Sequence, residues 1–373
     1  MMILAFGTGL GLQNKIRDKI TAFNGHITVR SFTTNLSNQN LQPIDGRQEF
    51  YPEFKSVPEV IHVQQTASKY GVIRTESDFE GIVLKGISTD YNWDYFEEFI
   101  LEGRKIELND DISKEVMISE YLADRLGFKL GDKITIYFMR GGNNSRPRPL
   151  GLDIVGIYNS GFREFDKQFL IADLKQIRRI NKWEDYQIGQ FEIMVEDFDD
   201  IQTTGRKVYE NIGSFLTASS IVDQYPTIFE WIALFDVNIA LIVVIMVIIA
   251  GINMITALLV LILEQTQLVG ILKALGAQNT SIRKIFLYNA TYLILKGLFW
   301  GNLIGIGLLL IQKYAKIISL NPDTHYVPHA PVHIEWTYLA GINLGTILVC
   351  LLMLILPSYI ITKISPVKAI KFD

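Results

Sequence analysis

The stretch from residue 231 to residue 263 reads WIALFDVNIALIVVIMVIIAGINMITALLVLIL, and it decides the fold class. Its single charge is Asp236, and residues 239–263 contain no ionisable side chain. Because a helix rises about 1.5 Å per residue, these 25 residues are long enough to cross a hydrocarbon core of about 30 Å. The stretch is therefore predicted to be a membrane-spanning helix.

Two further runs have the same character. Residues 285–311 contain one charge, Lys296, and residues 336–361 contain none, with Pro357 near their end. The sequence thus predicts a transmembrane domain over 231–373, with three complete helices at about 231–263, 285–311 and 336–361. The expected fold class is a membrane protein: an α-helical transmembrane bundle with a large inserted α+β extracytoplasmic domain.

The N-terminus is also apolar, but the run from Met1 to Leu12 is too short to cross a bilayer. It lacks the basic start and the cleavage site of a signal peptide. We interpret residues 1–25 as the remnant of a first transmembrane helix with its extension, so that the start codon would be placed late. The alternative is a loose apolar tail.

Composition agrees with a membrane protein. Of the 373 residues, 49% are hydrophobic and 20% charged, and mean hydropathy is +0.22. A soluble protein would carry nearer a quarter charged residues, so a fully soluble enzyme is disfavoured. A net charge of −4, without a basic stripe, argues against nucleic acid as a partner. The single cysteine, Cys350, excludes an intrachain disulfide.

Residues 26–230 alternate β-like and helical stretches and are predicted to form a periplasmic α+β domain. Val116 to Ser119 reads as a strand leading into a short helix, with Ser119 as N-cap and Gly127 beyond its end. Strands at 134–138 and 152–158 are expected to pair across a glycine-rich loop. Further strands are predicted at 26–32, 81–87, 168–171 and 191–195, and further helices at 173–180 and 201–212.

Lysine and arginine in short loops predict the orientation, because cytoplasmic loops are enriched in them. Loop 264–284 and tail 362–373 carry three such residues each. We therefore expect both to be cytoplasmic and the large domain to lie outside. Lys15, Arg17 and Lys19 follow the N-terminal stub on the proposed outer side and oppose this orientation.

Catalytic and metal-binding patterns are missing from the sequence. It has no phosphate-binding Gly-x-x-x-x-Gly-Lys-Ser/Thr loop, and Gly7 to Gly11 lacks the strand and spacing of a dinucleotide site. His325, His329 and His333 are spaced by four, but Pro328 and Pro331 disfavour a helix there, so a chance cluster is the better interpretation. We expect no catalytic, cofactor or metal site in this chain.

Glycines recur every four residues in two of the spans, a spacing that lets helix backbones approach closely in lipid. They are Gly297, Gly301, Gly305, Gly341 and Gly345. Packing within the chain is favoured over a dimer face. Lys296 would be costly facing lipid, and Asp236 is its candidate partner.

The loop after the first complete span contains a short amphipathic segment. Leu268, Ile271, Leu272 and Leu275 fall on one face at helical spacing, and Gly276 can end the helix in a left-handed conformation. Such a helix can wedge into a groove on a partner protein or lie along the membrane surface.

The same segment carries a family resemblance. Residues 264–278 read EQTQLVGILKALGAQ, which resembles the ATPase-coupling motif of the MacB/FtsX-like permeases. Residues 116–132, 155–166, 321–326 and 365–370 are similar to the LolC/LolE lipoprotein-releasing branch of that family. The polar start at Gln265 to Gln267 departs from the more charged start that is common in the family.

The resemblance implies four spanning helices, a second permease copy or paralogue, and a separate cytoplasmic ATPase subunit that binds ATP and magnesium. It assigns ATPase coupling to ten positions: Glu264, Leu268, Gly270, Ile271, Leu272, Lys273, Ala274, Leu275, Gly276 and Ala277. It further implies a multi-pass protein of the inner membrane that releases lipoproteins to a periplasmic carrier.

The resemblance also points to a loop at 139–150 as a carrier-contacting hook, against a plain hairpin turn. Its candidate contact residues are Arg140, Arg146, Pro147 and Arg148. Two alternative functions remain: a MacB-like efflux permease, and an FtsX-like permease that transports nothing and regulates a cell-wall hydrolase.

Overall fold

The computed structural model describes residues 1–33, 42–75, 78–138 and 147–363. The chain divides into two compact units. We call one the membrane unit (Met1–Asn14, Glu230–Ser319 and His329–Asp373) and the other the inserted domain (Lys15–Phe229 and Leu320–Pro328). Apart from a one-residue shift at Glu230, this division differs from the predicted boundaries at two places, because residues 15–25 and 320–328 pack with the inserted domain.

The described helices are numbered along the chain. They are α1 (Met2–Asn24), α2 (Glu120–Leu126), α3 (Arg163–Asp166), α4 (Leu174–Asn181), α5 (Ile201–Glu210), α6 (Ile221–Gln224), α7 (Pro226–Glu264), α8 (Thr266–Ala274), α9 (Asn279–Ala315), α10 (Pro322–His325), α11 (Trp336–Ser358) and α12 (Ile360–Lys363).

Three helices are long and apolar enough to cross a membrane: Pro226–Glu264, Asn279–Ala315 and Trp336–Thr362. The three predicted complete spans are thereby confirmed. Their shared core includes residues of α7, α9 and α11, among them Cys350 of α11. Asn302 on α9 and Asn343 on α11 exchange amide hydrogen bonds of 3.0 and 3.2 Å, which satisfies two polar side chains inside an apolar bundle.

The N-terminal segment is an ordered helix rather than a loose tail. Its membrane-unit part approaches its neighbours through three glycines. A Cβ added at Gly7 would lie 2.7 Å from Leu309, one at Gly9 2.4 Å from Ile239, and one at Gly11 2.7 Å from the carbonyl oxygen of Pro331. Residues 7–11, dismissed above as a nucleotide site, are therefore the packing surface of α1.

The inserted domain is built on twelve described strands. They are β1 (Ile27–Ser31), β2 (Ile44–Asp45), β3 (Val60–Arg74), β4 (Phe79–Ile87), β5 (Ile100–Gly103), β6 (Glu115–Ser119), β7 (Lys133–Phe138), β8 (Arg148–Tyr158), β9 (Phe169–Asp173), β10 (Gln187–Ile188), β11 (Gln190–Val195) and β12 (Leu216–Ser220).

Ten of these strands form one mixed sheet in the order β12-β1-β11-β3-β4-β9-β6-β8-β5, and β7 pairs with both β3 and β8. The pairs β4–β9 and β6–β8 are parallel, whereas the other pairs in this sheet are antiparallel. Strands β2 and β10 form a separate two-stranded sheet. The predicted α+β class is confirmed.

Local signals placed several elements correctly. Ser119 caps α2 by accepting a hydrogen bond from the Leu122 amide, and Gly127 ends that helix with φ +73°. Strands β7 and β8 pair across the predicted loop, from Phe138–Arg148 to Lys133–Asp153. The longest strand, β3, was not predicted. Its buried positions include Gln64 and Thr66, so it lacks the apolar alternation that marks a strand.

Candidate functional site

Helix α8 is the candidate site, and its two ends are fixed by backbone bonds. The Val269 amide donates to Gln265 at the start of the helix. At its end the Ala277 amide donates to Leu272, and the Gly276 amide to Lys273. With φ +89° at Gly276, these bonds form a Schellman cap, as the sequence predicts.

One side of α8 packs onto the membrane unit. Val269 is 0% exposed, Gly270 is buried, and Leu272 and Ala277 lie against the helix-bundle core. Burying these groups gives a nine-residue helix the tertiary support that it needs, because an isolated helix this short is marginal in water.

The other side of α8 is an apolar face. Leu268, Ile271 and Leu275 are 47%, 44% and 80% exposed, and Ala274 lies exposed among them. We call these four residues the docking face. Leu272 lies at the edge of the face predicted from 268, 271, 272 and 275 and is partly buried against the bundle core, so it is not counted in the docking face. The spacing of 268, 271 and 275 matches the i, i+3, i+7 anchors of a helix that binds in a groove.

A basic side chain of α8, Lys273, holds the helix against the last described turn of the chain. The Lys273 ammonium donates to the carbonyls of Ile361 and Thr362 at 2.7 and 3.3 Å, and desolvation lowers its pKa. Nearby, Arg283 on α9 donates to Ser358 at 3.1 Å and stacks over the ring of Tyr359 at 3.9 Å. These contacts occupy Lys273 and Arg283, whereas Glu264 at the end of α7 is exposed.

The five recurrent glycines divide into two groups. A Cβ at Gly305 would contact Ile3 at 3.4 Å, so α1 packs against α9 there. At Gly297, Gly301, Gly341 and Gly345 an added Cβ would meet nothing within 4 Å. Within the described residues, packing inside the chain therefore accounts for Gly305 and not for these four.

The proposed pairing of Lys296 with Asp236 is not found. Asp236 instead accepts a hydrogen bond of 2.7 Å from Gln13 of α1. Lys296 is exposed on α9, and among the described residues it forms no ion pair. The sequence could not show that α1 supplies a polar partner for Asp236.

Most of the candidate carrier-contacting loop lies outside the described residues, including Arg140 and Arg146. Pro147 precedes β8, and Arg148 begins it. The Arg148 guanidinium donates to the carbonyl of Arg179 at 3.3 Å, which ties the base of the loop to the end of α4. The carrier contact stays a prediction.

The basic residues that opposed the predicted orientation are used inside the inserted domain. Lys15 pairs with Glu98, Arg17 pairs with Asp199 at 3.1 Å, and Lys19 donates to the carbonyl of Tyr326 at 2.8 Å. These three basic side chains are therefore paired within the inserted domain. Among the described residues no three histidine, cysteine or acidic side chains are grouped so as to hold a metal ion.

The end of α1 is fixed in the core of the inserted domain. Its last carbonyls accept hydrogen bonds from buried side chains: Ala22 from the Tyr91 hydroxyl at 2.8 Å and Phe23 from the Lys85 ammonium at 2.6 Å. A cation and a hydroxyl are suited to the negative end of a helix. Burial lowers the pKa of Lys85 and raises that of Tyr91 well above its usual range.

Three spanning helices, an inserted α+β domain and a helix with an exposed apolar face define a class of protein, the multi-span membrane permeases with a large inserted domain. Two family models match the chain: the MacB-like periplasmic core domain over residues 1–209 and the FtsX-like permease C-terminal region over residues 240–366. The chain belongs to the MacB/FtsX-like family of ABC transporter permeases.

Curated relatives carry the names of two related proteins. The lipoprotein-releasing system transmembrane protein LolC of Haemophilus influenzae is 23% identical over 271 residues, covering 69% of this chain and 64% of LolC. The corresponding LolE protein of the same organism is 19% identical over 391 residues, covering 99% of this chain and 90% of LolE. The match thus spans less than two thirds of this LolC protein and most of LolE.

Among solved structures, the extracellular domain of the noncanonic ABC-type transporter YknZ from Gram-positive bacteria is similar to this chain. The TM-score is 0.36 at 17% identity, and the match covers 52% of this chain and all of that domain.

Proposed function

We propose that this protein is the permease subunit of an ABC-type lipoprotein-releasing complex of the inner membrane, with its inserted domain in the periplasm. A separate cytoplasmic ATPase subunit would bind ATP and magnesium. Hydrolysis there would drive transfer of lipoproteins from the membrane to a periplasmic carrier. The LolC and LolE names of its relatives support the cargo, and the family supports the ATPase partner.

One observation carries the ATPase contact, namely the docking face on a helix that is itself held rigidly. Leu268, Ile271 and Leu275 expose apolar surface, while Lys273 and the Schellman cap at Gly276 fix the helix beneath them. Burying such side chains in a groove contributes roughly 25 cal/mol per Å². Because α8 follows directly after α7, a push on α8 would act on the end of a spanning helix.

The proposed transfer needs an energy source because the acyl chains of the lipoprotein must leave the bilayer. Each acyl CH₂ removed from the bilayer costs about 0.8 kcal/mol, so lipid anchors do not leave the membrane unaided.

The proposed complex contains two permease chains, this one and a second copy or a paralogue.

The experiment is affinity purification of the full-length protein from native membranes, followed by mass spectrometry. We expect an ATPase subunit together with acylated lipoproteins. Recovery of the ATPase with an outer-membrane channel and no lipoprotein would replace the proposal with an efflux permease. Recovery with a cell-wall hydrolase and no lipoprotein would replace it with a signalling permease, and absence of any ATPase would overturn it.

Variants on α8 make this test specific. Ile271→Glu and Leu275→Glu put a charge into the docking face and should abolish recovery of the ATPase, with normal amounts of permease in the membrane. Gln278→Glu is the matched control, because it adds the same charge at an exposed position between α8 and α9, outside the docking face, and should retain the ATPase. Equal recovery from all three variants would exclude the docking face as the contact.

A further inference from the structure

Residues 320–328 leave the membrane unit after α9 and return to it before α11, yet they pack in the inserted domain. We call them the strap. Its two ends are joined by a hydrogen bond of 2.9 Å from the Leu320 amide to the carbonyl of Pro328. The ring of Tyr326 stacks on buried Phe162 with centroids 4.6 Å apart and planes at 16°, and its carbonyl is held by Lys19.

The backbone of the strap is unusual at the same residue. Tyr326 has φ +59°, a conformation that residues other than glycine rarely adopt. Such a conformation persists where surrounding contacts over-determine it. The stacked ring and the ammonium of Lys19 are two such contacts.

Phe162 is itself rigidly placed. Its amide donates to the Ser160 hydroxyl at 3.0 Å, and that hydroxyl donates to the buried carboxylate of Asp166 at 2.6 Å. Gly161 between them has φ +63°, and a Cβ there would lie 2.7 Å from the Lys19 ammonium. The turn therefore requires glycine to bring Phe162 and Lys19 to the strap.

From Phe162 the aromatic contacts continue to the other chain segments that lead to the membrane unit. Phe162 stacks on Phe165 at 4.7 Å, and Phe165 contacts Phe23 at 4.7 Å and Tyr225 at 5.8 Å. Phe23 lies in the last turn of α1, and Tyr225 immediately precedes α7. Tyr225 and Asn24 are also hydrogen bonded at 3.1 Å.

We propose that these five rings mechanically couple three segments of the chain within the inserted domain: the strap, the end of α1 and the segment that leads into α7. We call the five rings, Phe23, Phe162, Phe165, Tyr225 and Tyr326, the coupling node. Movement of the α9–α11 hairpin reaches the node through Tyr326, and it is shared there with the ends of α1 and α7 through Phe162 and Phe165. The node does not depend on the cargo or on the ATPase partner, because all of its contacts lie within one domain of this chain.

The test is hydrogen exchange of the full-length protein in lipid nanodiscs. Tyr326→Gly keeps the left-handed backbone conformation but removes the ring. We expect roughly three- to tenfold faster exchange, the range for loss of one buried aromatic pair, at residues 20–25 and 225–229 as well as in the strap. Thr324→Ala is the matched control, because the Thr324 side chain bonds within the strap and should affect exchange there alone.

Two further variants distinguish loss of the ring stacking from a general loss of folding. Tyr326→Leu keeps apolar volume without stacking and should give the same pattern with a smaller amplitude, whereas Tyr326→Phe should exchange like the parent protein. Faster exchange confined to residues 320–328 in the Gly and Leu variants would overturn the node and leave the strap as a local packing contact.

Discussion

The Lys85 ammonium lies 2.8 Å from a carboxylate oxygen of Glu192 in the interior of the inserted domain, where the two side chains are 1% and 0% exposed. Gln64 and Thr66 donate further hydrogen bonds to the same carboxylate at 2.8 and 3.0 Å. A buried ion pair is tolerated when its remaining lone pairs are satisfied in this way. This network therefore connects strands β3, β4 and β11 to the end of α1.

Lys85→Met is expected to destabilise the inserted domain by about 3–5 kcal/mol, because it leaves the Glu192 carboxylate buried without a counter-charge. It also removes the donor to the Phe23 carbonyl at the end of α1. The measurement is denaturant unfolding of the full-length protein in detergent, followed by near-ultraviolet circular dichroism of its aromatic residues.

The control for this prediction is Lys207→Met. Lys207 pairs with Glu59, but their side chains are 47% and 39% exposed, so its loss should change the free energy of unfolding by less than about 1 kcal/mol. If Lys85→Met and Lys207→Met had similar effects, the Lys85–Glu192 pair would not be a stabilising element.

His26 should make the inserted domain sensitive to acid. Its ring is 7% exposed, Nδ1 accepts a hydrogen bond of 2.9 Å from the Val195 amide, and burial lowers its pKa from 6.5 to about 4. Between these values the unfolded chain binds a proton that the folded chain does not. The contribution of neutral, buried His26 to the free energy of unfolding is therefore fully present above pH 6.5 and is lost as the pH falls towards 4.

This contribution amounts to roughly 3 kcal/mol, at about 1.4 kcal/mol per pKa unit. Unfolding of the full-length protein as a function of pH measures it. His26→Asn keeps an acceptor for the Val195 amide but cannot be protonated in this range, so its unfolding free energy should fall less steeply between pH 6.5 and 4. Parallel curves for the parent and the variant would contradict the prediction.

The glycines of α1 should differ in their tolerance of a methyl group. At Gly11 an added Cβ meets the backbone of Pro331, which cannot move without the chain, whereas at Gly9 it meets the tip of the Ile239 side chain. We expect Gly11→Ala to cost about 1–3 kcal/mol and Gly9→Ala clearly less. Thermal unfolding of the purified protein in detergent compares the two, and a larger loss for Gly9→Ala would refute the assigned packing.

Features that depend on a single continuous segment could be predicted from the sequence. The uninterrupted apolar length of residues 239–263 predicts a spanning helix, and Ser119 and Gly127 mark both ends of α2. The left-handed residue at the end of α8 was predictable for the same reason, because only glycine adopts φ +89° without strain.

Features that depend on distant partners were not predictable from the sequence. Strand β3 could not be predicted because its buried positions include the polar residues Gln64 and Thr66. The Glu192 carboxylate that accepts their hydrogen bonds lies more than a hundred residues away. The exposure of Leu275 and the partial burial of Leu272 depend on how α8 rests on α9 and α12. Nothing in residues 320–328 indicates that they leave the membrane unit to pack on Phe162.

The cap of α8 gives the last prediction. Gly276→Ala places a side chain at φ +89°, which costs about 1–2 kcal/mol, and should loosen the turn that orients Leu275. Gly276→Asn is the matched variant, because asparagine tolerates the left-handed region better than alanine. We expect faster hydrogen exchange over residues 272–277 in the Ala variant than in the Asn variant. ATP hydrolysis by the co-purified complex should be slower in the Ala variant than in the Asn variant. Equal exchange in both variants would mean that the left-handed cap does not hold the docking face in place. A change in exchange without a change in hydrolysis would instead separate the order of α8 from ATPase coupling.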